Sequence, residues 1–456
     1  MPRVVIVGAG VSGLTVAHRL GARDPSCRIV VLEASDAVGG KLRDVSVGGL
    51  TLPAGADSFL ARKPWAVDLC RELGIGRELV EPRASGAYLW TEHGLVPYPT
   101  GTAFGIPGDL GDALRWPGLS RSGRRRALAD LWKRRGRRSG DESLGSLLRR
   151  RLGDEATDRA IAPLLAGLYA GDVDRLSAQA TFPELLRWEA AQGSLLRGAQ
   201  AAVRRAGGRD AGPMFLRPRA GVHRLTDELA ARLGDRVRLR SRVVGIERAG
   251  DEWRVRTDNE AFDADAVVCT GCAGAIAAML PPGRSTDLLS AIPFVSTGAV
   301  LSVYADGTAS RLPEGSGFVV PRGAAPMTAC TWLSSKWPDP AYGDRAVLRC
   351  FVGAAGEEDV LEAPDRELID ACSRHLAALL PLPPRPDHAA VVRWPDAMPQ
   401  YEVGHPERAA RIRSTLPAGI FVTGLSLDGV GVADCVRAAG ETADAVARSL
   451  RREVRA

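Results

Sequence analysis

The stretch RVVIVGAGVSGLTVAHRL, Arg3 to Leu20, decides how the rest of the chain is read. Val4 to Val7 form a β-branched run ending on Gly8, and Gly10 and Gly13 lead into apolar positions at Leu14, Val16, Ala17 and Leu20 that predict a helix. Each glycine has a mechanical reason. The first makes the tight turn, the second lets a pyrophosphate approach the backbone, and the third lets helix pack on strand. The anion then meets free N–H groups at the helix N-terminus, where the dipole favours negative charge. A second strand-like run, Arg28 to Leu32, ends at Glu33, twenty residues past Gly13, where an acid accepts hydrogen bonds from a ribose.

Next comes ASDAVGGKLRD, with Gly39 and Gly40 ahead of a basic residue and a strand. That extension resembles FAD-binding flavoproteins of the amine oxidase kind more than NAD dehydrogenases. Far along the chain, GIFVTGLSLDGVGVADCVRAAGETADAVARSL predicts a strand over Ile420 to Thr423, a turn at Gly424, and a long amphipathic helix from about Val432 to Leu450. A second helix N-terminus suits a flavin ring, whose reduced form is negative near N1 and C2=O. The same segment also reads as a βα unit that merely completes the sheet.

Short alternating runs between Val222 and Cys269 return the chain to this nucleotide-binding region. The expected fold is α/β: a discontinuous Rossmann-like FAD-binding domain over 1–60, 215–285 and 390–456, a mainly helical insertion over 61–214, and a β-rich α+β substrate domain over 286–389. Long insertions at such points form the substrate chamber.

At 456 residues and 45% apolar content, two or three domains are expected. No window holds the roughly 18 apolar residues of a spanning helix, and no leader is read at the N-terminus, so the expected location is the cytoplasm, with at most peripheral membrane contact. Between Arg115 and Arg151 stand 13 Arg or Lys against Asp130, Asp141 and Glu142, a local balance of +10 in a chain of net +6. The cluster reads as solvated helix faces, or as attraction to an anionic lipid surface, a polycarboxylate substrate or an acidic partner. Nucleic acid is disfavoured, because aromatic residues are sparse there and no binding motif accompanies it. Eight scattered cysteines form no disulfide framework. Cys269 and Cys272 lack the further ligands of a zinc site, and no metal is expected.

The stretches AGADSFLARKPWAVDLCRELGI, SLLRRRLGDEATDRAIAPLLAGLYAGDVDRLSAQATFPEL, GSGFVVPR, TACTWLSSKWP, RWPDAMPQYEVGH and DGVGVADCV together resemble the bacterial porphyrinogen oxidases, almost end to end and in the same order. The family comprises oxygen-dependent protoporphyrinogen IX and coproporphyrinogen III oxidases of haem synthesis. The resemblance implies FAD contacts at Gly8, Ala9, Gly10, Val11, Ser12, Gly13, Glu33, Ala34, Lys41, Gly55, Asp57, Ser58, Val243, Trp394, Val430, Gly431 and Val432. Ala433 stands where the family has proline, and RAAGE where it has glutamine-glycine. Protoporphyrinogen-type members carry an arginine where Ala87 precedes Tyr88, so the resemblance leans to the coproporphyrinogen branch.

The implied reaction is a six-electron oxidation of coproporphyrinogen III to coproporphyrin III in three rounds, each passing a hydride to the flavin while O2 is reduced to H2O2. Only six histidines occur and no metalloprotease or nucleophile-elbow motif is present, so no catalytic side chain is nominated and the cofactor carries the chemistry. Guanidinium and ammonium groups bind carboxylates. Arg62 and Lys63 are the expected carboxylate contacts, ahead of Arg217 and Arg219, with Tyr169 and Gly171 of GLYAGD lining the chamber. Protoporphyrinogen IX is the alternative substrate. A flavin amine oxidase or desaturase, and a tetrapyrrole carrier that hands its ligand to a ferrochelatase, are the rival readings.

Overall fold

The computed structural model describes residues 1–84, 86–99, 101–134, 140–207, 213–337 and 339–453. Its centre is a five-stranded parallel sheet of β1 (Arg3–Val7), β2 (Arg28–Leu32), β3 (Val237–Arg238), β4 (Ala266–Thr270) and β5 (Ile420–Thr423), in the order β3-β2-β1-β4-β5. Its strands come from three separate stretches of the chain, residues 3–32, 237–270 and 420–423. Val4 and Ile6 of β1 face helices α1 (Val11–Arg23) and α2 (Val432–Glu453), packing with Leu14, Leu20, Val436, Ala443 and Val446. Val5 and Val7 face the other way, onto a meander that supplies Ile246, Trp253 and Val255. Burial on both faces is why β1 reads as an unbroken apolar run.

A second sheet has seven strands, in the order His388–Pro399, Phe294–Val303, Val347–Val352, Ala329–Trp332, Gly317–Val319, Tyr88–Thr91, Gly94–Pro97. The helix Asp365–Leu379 covers one face through Leu368, Cys372 and Leu376. The hairpin Asp44–Val47/Leu50–Pro53 covers the other through Val47, Leu50 and Leu52. Two segments cross the boundaries drawn from sequence. Tyr88–Pro97, placed within the helical insertion, supplies two strands here, because Tyr88 and Leu89 pair in parallel with Phe318 and Val319. The strand His388–Pro399, placed mostly in the last nucleotide-binding segment, pairs along Phe294–Val303 instead.

The helices between residues 110 and 206 bury Trp116, Leu147, Leu148, Ile161, Leu165, Phe182 and Trp188 in a third core. Here the arginine run is only partly a solvated face. Arg151 is 1% exposed, and its Nε donates to Asp130, whose other oxygen accepts from Ser194 Oγ at 2.6 Å and Leu196 N at 3.0 Å. Arg126 and Lys133 donate to the carbonyls of Arg149, Arg150 and Arg151, satisfying the open C-terminal end of the helix Leu144–Leu152. Arg115, Arg121, Arg125 and Arg134 remain exposed. Among the described residues no helix is long and apolar enough to cross a membrane.

His405 opens the helix His405–Thr415 and stacks on Tyr401 with ring centroids 3.9 Å apart. Burial, with a smaller push from Arg408 and Arg413, brings its pKa down to about 4. The unfolded chain then takes up this proton at higher pH than the folded one, so stability falls as pH drops from roughly 6.5 towards 4, by up to about 3 kcal/mol. Denaturant unfolding across that range, compared between wild type and His405→Phe, is expected to show the acid-side loss shrinking in the variant. Parallel curves for the two proteins refute the assignment.

Candidate functional site

The first turn is built as the glycine spacing requires. Gly8 has φ +100°, and a Cβ there would stand 2.6 Å from Thr270 Oγ1, which donates to Val7 O at 2.8 Å. A Cβ on Gly13 would lie 1.9 Å from Gly8 O, so only glycine lets α1 sit this close to β1. A Cβ on Gly10, by contrast, would meet nothing within 4 Å. Gly10 is the extended residue ahead of α1, with no side-chain cap and no acid in the first helical turn. The N–H groups at the start of α1 thus open onto a cradle with room and positive potential for an anion.

Glu33 stands at the end of β2. Its Oε2 accepts from Ala9 N at 2.8 Å, and its Oε1 accepts from Ser35 N and Oγ at 2.9 and 2.8 Å. The carboxylate is fixed beside the glycine turn with lone pairs to spare. Ala34 is exposed next to it, and Ser241 N donates to Glu33 O, which brings the strand that starts at Val243 to the same edge. Gly39 N donates to Ala9 O, laying the Gly39–Gly40 loop against the first turn. Gly424, with φ +100°, approaches α1 so closely that a Cβ would meet Ser12 Oγ at 2.8 Å.

The wall beyond the turn runs from Lys41 to Ser58. Lys41 Nζ donates to Ala397 O at 2.5 Å, and burial lowers its pKa. Gly55 is compulsory, because a Cβ would overlap Lys41 O at 1.9 Å. Trp394 Nε1 donates to Ala54 O at 3.3 Å. Asp57 is buried and accepts from both Lys336 Nζ (3.1 Å to each oxygen) and Trp337 Nε1 (3.3 Å), while Arg349 Nη2 lies 3.2 Å away and Ser58 Oγ donates at 2.8 Å. Burial opposes ionisation of Asp57, but the charges of Lys336 and Arg349 outweigh it and hold the carboxyl well below the usual range. Arg349 also donates to Pro53 O and Gly55 O, so one buried guanidinium fixes the backbone on both sides of Ala54. The carboxylate of Asp57 is committed to this support, and Ser58 Oγ donates to it.

Across from that wall, Tyr401 accepts from Gly429 N at 2.8 Å and donates to Leu425 O at 2.5 Å, holding the turn that leads through Val430 and Gly431 into Val432. Its ring lies 5.8 Å from that of Tyr169. Gln400 Nε2 donates to Tyr169 O at 3.0 Å, and its Oε1 would stand 2.6 Å from a Cβ on Gly171. Ala170 between them is held at φ +48°, a backbone form that an L-residue adopts only when its surroundings impose it.

The cationic candidates part company. Lys63 Nζ reaches both oxygens of Asp434, at 2.8 and 2.6 Å. Arg62 and Arg219 are exposed, whereas Arg217 is buried, stacked 4.4 Å over Trp337, with no carboxylate within salt-bridge distance among the described residues. Sequence reasoning missed Asp434, Lys336, Arg349, Gln400 and Tyr401. Four of these lie inside the stretches that carry the resemblance, TACTWLSSKWP, RWPDAMPQYEVGH and DGVGVADCV, but only the folded chain gives them their partners.

Known proteins resemble this chain over nearly its whole length. Residues 11–447 match the family described as flavin containing amine oxidoreductase. Coproporphyrinogen III oxidase of Bacillus subtilis (strain 168) is 32% identical over 447 residues, 95% of each chain. The chloroplastic protoporphyrinogen oxidase of Nicotiana tabacum is 29% identical, over 98% of this chain and 86% of its own. A crystal structure from Exiguobacterium sp. 255-15, named for a protoporphyrinogen oxidase, superposes with a TM-score of 0.88 at 32% identity and covers 99% of both chains. The chain is a flavin-dependent oxidoreductase, and it belongs to the flavin-containing amine oxidoreductase family and, within it, to the porphyrinogen oxidases.

Proposed function

We propose that this enzyme oxidises coproporphyrinogen III to coproporphyrin III, removing six electrons and reducing O2 to H2O2. The observation that carries this reading is full-length similarity to a coproporphyrinogen III oxidase on a chain whose glycine cradle fits FAD. Ala87 supports coproporphyrinogen over protoporphyrinogen IX through the resemblance alone, since it stands before Tyr88 where protoporphyrinogen-type members carry an arginine. Protoporphyrinogen IX remains the second reading, favoured by the names of the tobacco and Exiguobacterium relatives.

In this reading Gly8 to Gly13 would hold the pyrophosphate of FAD, with the free N–H groups at the start of α1 as the donors. Glu33 holds a ribose, and Ala34 and Val243 border the adenine. Lys41, Gly55, Trp394 and Val430 to Val432 would hold the flavin, with Asp57 and Ser58 supporting that wall. Bound FAD supplies the hydride acceptor. The chain's own part is to bind, orient and exclude water: Arg62 and Lys63 for the carboxylate arms, Tyr169 and Gly171 for the macrocycle. Peripheral membrane contact is assigned to Leu110 and Leu114, one helical turn apart and 46% and 60% exposed, with Trp132 at 78% and the exposed Arg115, Arg121, Arg125 and Arg134 in the same unit.

Mixing the flavin-loaded protein anaerobically with coproporphyrinogen III is expected to bleach the flavin and, once air is admitted, to raise a porphyrin Soret band faster than with protoporphyrinogen IX. The opposite preference reassigns the substrate, and a flavin untouched by either removes the oxidase reading. Glu33→Ala is expected to weaken FAD retention about tenfold, roughly 1.4 kcal/mol, in a titration of the stripped protein; unchanged affinity takes the ribose away from Glu33. Vesicles rich in phosphatidylglycerol, but not phosphatidylcholine, are expected to sediment the protein. Trp132→Ser with Leu114→Ser is expected to abolish this, and sedimentation that survives both changes rules that face out.

A further inference from the structure

Two helix N-termini meet at one ion pair. Lys63 is the residue before Pro64, which begins the helix Pro64–Glu72, and Asp434 is the third residue of α2. Both Asp434 oxygens accept from the Lys63 ammonium, at 2.8 and 2.6 Å. Asp434 has independent reasons to stay where it is. A carboxylate in the first turn of a helix is favoured by the dipole, and its side chain fills the space over Gly429 and Gly431, where added Cβ atoms would come within 2.8 and 2.9 Å of it. The lysine side chain is 41% exposed against 17% for the aspartate, so the ammonium is the more exposed and adjustable member. The charge of Asp434 also adds to burial in pushing up the pKa of the Tyr169 hydroxyl.

We propose that Asp434 is a positioning residue: it holds the Lys63 ammonium in place for a carboxylate arm of the substrate, and thereby sets affinity for carboxylate-rich tetrapyrroles. This rests on the porphyrinogen reading above. An ammonium has three N–H donors, and with two on Asp434 the third has no partner among the described residues and is left for the substrate. A lysine otherwise free about four side-chain bonds surrenders that freedom only when the substrate arrives; clasped by Asp434, it has surrendered it beforehand.

The test uses the FAD-loaded protein and its Asp434→Asn, Lys63→Met and doubly substituted forms. Turnover is followed with coproporphyrinogen III, and equilibrium binding with its oxidised product, coproporphyrin III. Asp434→Asn is expected to raise both KM and the porphyrin Kd about tenfold with kcat within about twofold, because the substrate must then order the released lysine itself, a cost that outweighs the repulsion relieved by removing the aspartate charge. Lys63→Met is expected to do the same, the double form to be no worse than Lys63→Met alone, and Asp434→Glu to restore most of the loss. Unchanged Kd in Asp434→Asn overturns the proposal, even if melting temperature falls, since that is a structural role alone. Penalties that multiply in the double form also overturn it, because Asp434 then acts on something other than Lys63. A wild type that binds coproporphyrin without oxidising coproporphyrinogen ends the oxidase reading while the Kd comparison still decides the role of Asp434; one that binds no porphyrin ends both.

Discussion

Helix α1 can lie along β1 only because Gly13 has no side chain. The distance that a Cβ would have from Gly8 O, 1.9 Å, is less than any packing can absorb. With the helix seated there, its first N–H groups are aimed past the carboxyl end of β1, and the other parts of the cradle arrange themselves about that point. Glu33 reaches Ala9 N from the end of β2, Thr270 closes over Gly8 from β4, and Gly424 approaches Ser12 from β5. Each comes from a strand end on the same edge of the sheet, where open α/β sheets collect their ligands.

The opposite wall depends on charge rather than on close packing. Arg349, Lys336 and Asp57 are all poorly hydrated, and only their mutual contacts make their burial tolerable. The set ties the segment Pro53–Ser58 to the second sheet, through Arg349 on the strand Val347–Val352 and Lys336 after the strand Ala329–Trp332. Losing Asp57 would leave two cations facing each other in a dry interior, so this carboxylate matters to the chamber without presenting itself to a ligand.

What the sequence discloses follows the distance over which each feature is determined. The β1–α1–β2 unit and Glu33 were legible because turn chemistry and periodicity settle them within some thirty residues. The partners of Asp57 were not, since Lys336 stands 279 positions away and no local pattern records a pairing of that span. Tyr88–Pro97 looked like part of a helical insertion because its four-residue strands acquire their meaning only by pairing with Gly317–Val319. The arginine run misled in another way. Composition cannot separate Arg151, sealed against Asp130, from Arg121, which stays in water. Lys63 stands out in the sequence for its charge, whereas its partner Asp434 lies 371 positions away, inside a helix whose pattern says nothing of the pairing.

The order of strands in the central sheet also bears on how the protein is made. β1 and β5 are separated by residues 8–419, yet both border β4, and α2, which follows β5, covers the same face of the sheet as α1. A chain leaving the ribosome from its N-terminus therefore exposes the apolar edge of β4 and the outer side of α1 until β5 and α2 emerge. Contacts of such long sequence separation form slowly. The cofactor cradle is consequently completed late in synthesis, when Gly424 at the end of β5 comes to lie against Ser12 of α1.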